Sequence, residues 1–224
     1  MNMSSEVAKY FSVIGIATWQ TFIMVFFSTV FSLVLGMPLG ILLCTSDKAT
    51  GLRPHKVLNQ ILSVIINILR AIPFVILVIL LFPVTRAIVH TAIGTKASIV
   101  PLTIAAAPFV ARVIESALKE VDPGVVQAAR SMGSTDRQII FKVLLPEALP
   151  SIVNGITLTI INLIGYSAMA GTVGGGGLGD VAIRYGYQRY RVEYMLGSVA
   201  IILILVEVIQ LIGTHVSNKM QKNR

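Results

Sequence analysis

The chain has 224 residues, of which 55% are hydrophobic and only 12% charged, with a mean hydropathy of +0.83. Soluble domains carry roughly 25% charged residues, so an ordinary soluble enzyme or binding module is excluded and a membrane domain of several helices is expected. The formal charge of +8 falls in loops between apolar stretches, where membrane topology and anionic lipid account for it and no nucleic-acid partner is expected. Cys44 is the sole cysteine, which rules out an intrachain disulfide.

Residues 1–9 are polar. The apolar run after them is too long for a signal peptide and lacks a small-residue cleavage site, so it reads as a retained span. Residues 10–46 contain no charge, more than the ~20 residues a helix needs to cross a bilayer. A first span is predicted at 18–44, with Trp19 in the interfacial belt. Gly36, Pro38 and Gly40 predict a kink or a close helix contact. A polar loop precedes a second span at 57–84, which contains Arg70 and Pro73. The third span, 97–111, is short, but Lys96 and Arg112 at its ends can snorkel. A polar, basic segment occupies 112–150, and the fourth span covers 151–173. Gly174, Gly175, Gly176, Gly177 and Gly179 follow, then a fifth span at 195–216 interrupted by Glu207, and a tail with Lys219, Lys222 and Arg224. All of 1–224 is expected to form a single membrane domain.

Five spans place the termini on opposite sides. With the C-terminus inside, eleven basic residues are cytoplasmic and six external, leaving Arg70 uncounted. The positive-inside rule therefore predicts an external N-terminus and a cytoplasmic C-terminus. The segment 112–150 then faces the cytoplasm.

That segment carries its own helix punctuation. A short helix can end at Met132, with Gly133 in the left-handed conformation. Thr135 followed by Gln138 is a capping-box signature for a second short helix, which Pro146 and Pro150 are expected to stop. A plain connector needs no such stiffness; a docking element does.

Gln127-Ala128-Ala129-Arg130, Gly133, and Leu145-Pro146 resemble the EAA loop of ABC importer permeases. Gln127 stands where that family has Glu, and Val143 where it has Ile. The Gln removes a charge, so no ion pair is carried over at that position. More of the chain is similar to the permeases of methionine ABC importers: Arg70-Ala71-Ile72-Pro73-Phe74, Ile99-Val100-Pro101-Leu102-Thr103, and the stretch 165–188 with its glycines. The resemblance implies the five-helix, all-α transmembrane domain of type I ABC importer permeases, with a cytoplasmic coupling helix. It further implies a homodimeric pore, two ATP-binding subunits on the cytoplasmic side, and an external substrate-binding protein that delivers L- or D-methionine. The ATPase-coupling residues would be Gln127, Ala128, Ala129, Arg130, Gly133, Leu145 and Pro146.

Nothing in the chain suggests catalysis. No Gly-x-x-x-x-Gly-Lys-Ser/Thr occurs, and Gly174, Gly176 and Gly179 follow an apolar span rather than a strand, which fails the dinucleotide context. No cofactor is expected here; ATP and Mg belong to the partner ATPase. His55, His90 and His215 lack ligand-type neighbours, so no metal site is expected. The glycine run is either a flexible connector or a tightly folded backbone. Arg70 is either structural or a pathway group, since a charge at the bilayer centre costs at least ~2.5–3.5 kcal/mol. Pro73, Ser167, Met169 and Glu207 are the other pathway candidates. Arg184, Tyr185, Tyr187 and Arg189 form either an interfacial girdle or a docking surface for the external protein. Other readings are an ABC permease for another amino acid or small polar solute, and an ion-coupled carrier that uses Arg70 and Glu207.

Overall fold

A computed structural model describes residues 3–48 and 51–222, and the described residues hold helices without strands. In chain order these are α1 (Met3–Ser46), α2 (Lys56–Ala71), α3 (Phe74–Leu80), α4 (Phe82–Val89), α5 (Thr95–Lys119), α6 (Pro123–Ser131) and α7 (Asp136–Ile139). They continue with α8 (Leu145–Thr172), α9 (Gly177–Val181) and α10 (Val192–Lys222). Two π-helical turns, Ile140–Leu144 and Ala182–Tyr187, join α7 to α8 and follow α9. Four helices are long and apolar enough to cross a membrane, or five if α2 and α3 count as one broken span.

The stretch expected as one span at 57–84 is three helices. Pro73 has no N–H to continue α2 and sits instead as the N-cap of α3. Pro83 falls in the first turn of α4, where a missing N–H is harmless. Helix α5 runs to Lys119, past the expected end at Ala111, and α1 begins well before Thr18.

The chain packs as two compact units. One comprises Met1–Phe31, Ile72–Ala106 and Ile160–Ile209. Its interior is Met24, Val25, Phe74, Val78, Leu102, Ala106, Leu163, Ile164 and Ala170, and the rings of Phe74 and Tyr166 stack at 4.8 Å. The other comprises Ser32–Ala71, Ala107–Thr159 and Gln210–Arg224. There Gly36 and Gly40 answer the kink-or-contact question in favour of contact. A Cβ on either would lie 2.6 Å from the carbonyl oxygens of Ala107 and Ala111 respectively. Small residues four apart let the backbones of α1 and α5 meet, the usual packing solution in lipid.

Polar side chains in these helices mostly bond back to their own backbone. Thr29 donates to Val25, Thr45 to Ile41 and Thr159 to Gly155, at 2.7–2.8 Å. This satisfies them where water is absent. Trp19, Phe22 and Phe26 form an exposed aromatic ladder on α1.

Candidate functional site

The turn between α6 and α7 is built as its spacing predicts. Asp122 caps α6, its Oδ1 accepting from Gly124 N at 2.7 Å, and Pro123 occupies the first turn. At the other end Gly133 has φ +80°, its N–H donates to Arg130 O at 2.9 Å, and Ser134 N donates to Ala129 O at 3.1 Å. That pair of bonds is a complete Schellman closure. Thr135 then caps α7 in a full capping box: Gln138 N donates to Thr135 Oγ1, and Thr135 N donates to Gln138 Oε1 at 2.8 Å.

Pro146 and Pro150 do not stop the second helix. Pro146 cannot donate to the carbonyl four residues back. The chain widens into the π turn Ile140–Leu144, with Leu145 N bonded to Ile140 O, and continues into α8. Pro150 lies inside α8, and its carbonyl accepts from Ser217 Oγ at 3.0 Å.

The coupling candidates divide by exposure. Gln127 and Ala128 face out, and Val125, Met132 and Phe141 in the same segment are also exposed. Ala129 is buried with Ile139, Leu144, Ala117 and Leu118, so its constraint comes from its own chain. Leu145 packs against that cluster and Pro146 is exposed. Arg130 donates to Leu52 O at 3.1 Å. Arg53, next in that loop, pairs with Asp136 at 2.6 Å. The loop after α1 is thus tied to both α6 and α7.

A buried carboxylate holds the ends of the helices leading into this segment. Glu115 is 6% exposed and binds Arg112 at 2.7 Å and Lys119 at 2.9 Å. Lys119 also reaches Asp47 of the α1 end at 2.8 Å, and Arg112 donates to Asn67 of α2 at 3.0 Å. Arg112 therefore sits mid-helix as a crosslink rather than at a span end. Sequence reasoning passes over Glu115; the one signal available is its spacing of three and four from two cations.

Among the pathway candidates, Arg70 is exposed at the end of α2, its guanidinium carbon 5.7 Å from the centre of the Phe109 ring. Pro73 is exposed as the cap of α3. Ser167 is buried and donates to Ile164 O at 2.7 Å, while Met169, two residues on, is 45% exposed. Glu207 is exposed on α10.

The glycine run is a tight turn rather than a loose connector. Gly174, Gly176 and Gly177 have φ near +80°, Gly177 N donates to Gln20 Oε1, and Leu178 N donates to Thr21 Oγ1, each at 2.9 Å. Nearby, Arg184 pairs with Asp180 and Arg189 lies 4.8 Å over the Tyr185 ring. Tyr185 also stacks on buried Tyr194 at 5.1 Å. Tyr187 is left 70% exposed. Among the described residues no cluster of three metal-ligand side chains occurs.

Comparison with known proteins agrees with this architecture. The chain is 56% identical over 197 residues to the probable D-methionine transport system permease protein MetI of Vibrio cholerae, covering 88% of this chain and 87% of that one. It is 46% identical over 168 residues to the methionine import system permease protein MetP of Bacillus subtilis, covering 75% and 76%. A solved inward-facing structure of the MetNI methionine ABC transporter aligns at 45% identity with a TM-score of 0.91, over 93% of this chain and 96% of that chain. The all-α, type I importer fold expected from the resemblance is the fold present. A family model matches residues 36–222, and the chain is therefore a member of the binding-protein-dependent transport system inner membrane components.

Proposed function

We propose that two copies of this chain form the translocation pathway of a methionine ABC importer. ATP, with Mg, is hydrolysed in two separate cytoplasmic subunits, and an external binding protein delivers the substrate. The chain itself catalyses no reaction. The observation that carries this reading is the doubly capped helix-turn-helix 122–138, whose Schellman turn and capping box stiffen a segment that a channel or ion-coupled carrier has no use for. The names of the relatives, which specify D-methionine or methionine import, support the substrate.

In this reading Gln127, Ala128 and Arg130 contact the ATPase, Ala129 and Leu145 anchor the segment to the core, and Gly133 with Pro146 sets its direction. Arg70, Pro73, Met169 and Glu207 line or gate the pathway, and Ser167 shapes α8 beside Met169. Arg184, Tyr185, Tyr187 and Arg189 form the external docking face, with Tyr187 as its outward ring. The N-terminus is external and the C-terminus cytoplasmic.

The test is reconstitution in liposomes with the ATPase and binding protein, followed by uptake of labelled L- and D-methionine. ATP-dependent accumulation of methionine is expected. Accumulation driven by an ion gradient without ATP sinks the ABC reading. ATP-driven accumulation of another amino acid, without methionine, sinks the substrate assignment.

A further inference from the structure

Helix α10 docks by one face near its end. Gly213 and Ser217, one turn apart, are both buried. A Cβ on Gly213 would run into Thr157, and the Ser217 hydroxyl donates to Pro150 O at 3.0 Å. At 3.6 residues per turn this leaves His215, Asn218, Lys219 and Lys222 on the opposite face. All four are exposed and line a shallow groove of about 390 Å³.

The charges of the two lysines are not neutralised. Among the described residues, His215, Lys219 and Lys222 take part in no ion pair, whereas Arg53, Arg112 and Lys119 in the same unit are all paired. Nor does α10 itself supply a carboxylate here, since no Asp or Glu occurs after Glu207. One turn before the groove, Leu211 and Ile212 are 61% and 59% exposed on the same side. A cationic groove therefore continues directly into bare aliphatic surface at the end of a helix apolar enough to cross a membrane.

We propose that this groove binds an anionic phospholipid. The headgroup phosphate sits between the Lys219 and Lys222 ammonium groups, with His215 and Asn218 as hydrogen-bond donors, and the acyl chains lie along Leu211 and Ile212. A phosphate at the membrane surface complements the unpaired cations, and the chains cover the aliphatic side chains that the protein leaves bare. The proposal rests on α10 ending at a bilayer surface. It is independent of which substrate is carried.

The experiment counts phosphatidylglycerol and phosphatidylcholine retained by the purified full-length complex, using native mass spectrometry. Wild type is expected to retain phosphatidylglycerol preferentially. K219Q/K222Q should weaken that retention by about fivefold for each lysine removed, K219R/K222R should preserve it, and K48Q should match wild type. Unchanged retention in K219Q/K222Q overturns the proposal, as does equal retention of the two lipids by wild type. Competition by glycerol phosphate as effective as that of the whole lipid removes the acyl contact and overturns it too. If K219Q/K222Q loses the ATPase subunit with lipid retention unchanged, the groove is a protein contact and the proposal fails. Methionine uptake is measured in parallel, so a failure of the transport reading shows there and not in lipid counts.

Discussion

Arg130 of α6 donates to the carbonyl oxygen of Leu52, 3.1 Å away in the loop that leaves α1. The segment 122–138 is thereby bound to the loop after α1 as well as to its own flanking helices. If α6 is moved by a partner, this bond and the neighbouring Arg53–Asp136 pair are the expected route to the start of α2. Arg53 is 74% exposed at its side chain, so that pair alone contributes little, on the order of 0–1 kcal/mol. The Arg130 bond is charge-assisted but also exposed, and is worth up to about 1.5 kcal/mol. Arg130→Ala is expected to leave folding intact and, beyond any weakening of ATPase binding, to lower uptake per ATP hydrolysed by up to about tenfold. Uptake and hydrolysis measured together in proteoliposomes check this; an unchanged ratio removes the loop from the coupling route.

Glu115 is the sole buried acid among the charged side chains described, and it holds Arg112 and Lys119. Removing one member of a buried ionic cluster leaves the others uncompensated, a cost of about 3–5 kcal/mol when burial is complete. Lys119 is 34% exposed and keeps Asp47, so a smaller loss, roughly 2 kcal/mol, is expected for Glu115→Gln. Thermal unfolding in detergent should register a lower midpoint than wild type, and Lys119→Met should cost less than Glu115→Gln. An unchanged midpoint for Glu115→Gln contradicts the clamp.

How much of this is legible beforehand depends on the range of the interaction. The turn at 132–138 can be read from sequence because every donor and acceptor lies within six residues, so Gly133, Thr135 and Gln138 carry the whole argument. The Lys119–Asp47 and Arg112–Asn67 bonds join residues 72 and 45 apart, and nothing local marks them. The path through Pro146 is illegible for another reason. A proline is a strong local stop, and its override depends on the π turn Ile140–Leu144, which is anchored by burial of Ile139 and Leu144 in the core. Likewise Ala129 looks like a contact residue by its motif, but its burial is set by packing against Ala117 and Leu118.

The charge asymmetry predicts a cytoplasmic C-terminus. Single cysteines at Lys9 and Lys219 in a Cys44→Ser background test this, since Cys44 is the only native thiol. An impermeant maleimide added to intact cells should label position 9 and leave position 219 unmodified until the membrane is opened. Labelling of 219 in intact cells reverses the topology and takes the docking segment away from any cytoplasmic ATPase.

Gly133 gives the most discriminating substitution. Its φ is +80°, and a Cβ placed there meets nothing within 4 Å, so any penalty is conformational rather than steric crowding by neighbours. Valine is β-branched and disfavoured in the left-handed region by roughly 1–2 kcal/mol, whereas asparagine tolerates that region. Because the space is open to both, the pair isolates backbone geometry from size. Gly133→Val should reopen the Schellman closure and swing α7 away from α6, since the Ser134–Ala129 and Gly133–Arg130 bonds depend on that φ. The expected result is a permease that inserts normally but recovers roughly tenfold less ATPase in a pull-down, a factor equivalent to about 1.4 kcal/mol. Gly133→Asn should bind and transport nearly as wild type. If Val and Asn behave alike, the left-handed turn is not what orients the segment, and the docking role loses its structural basis.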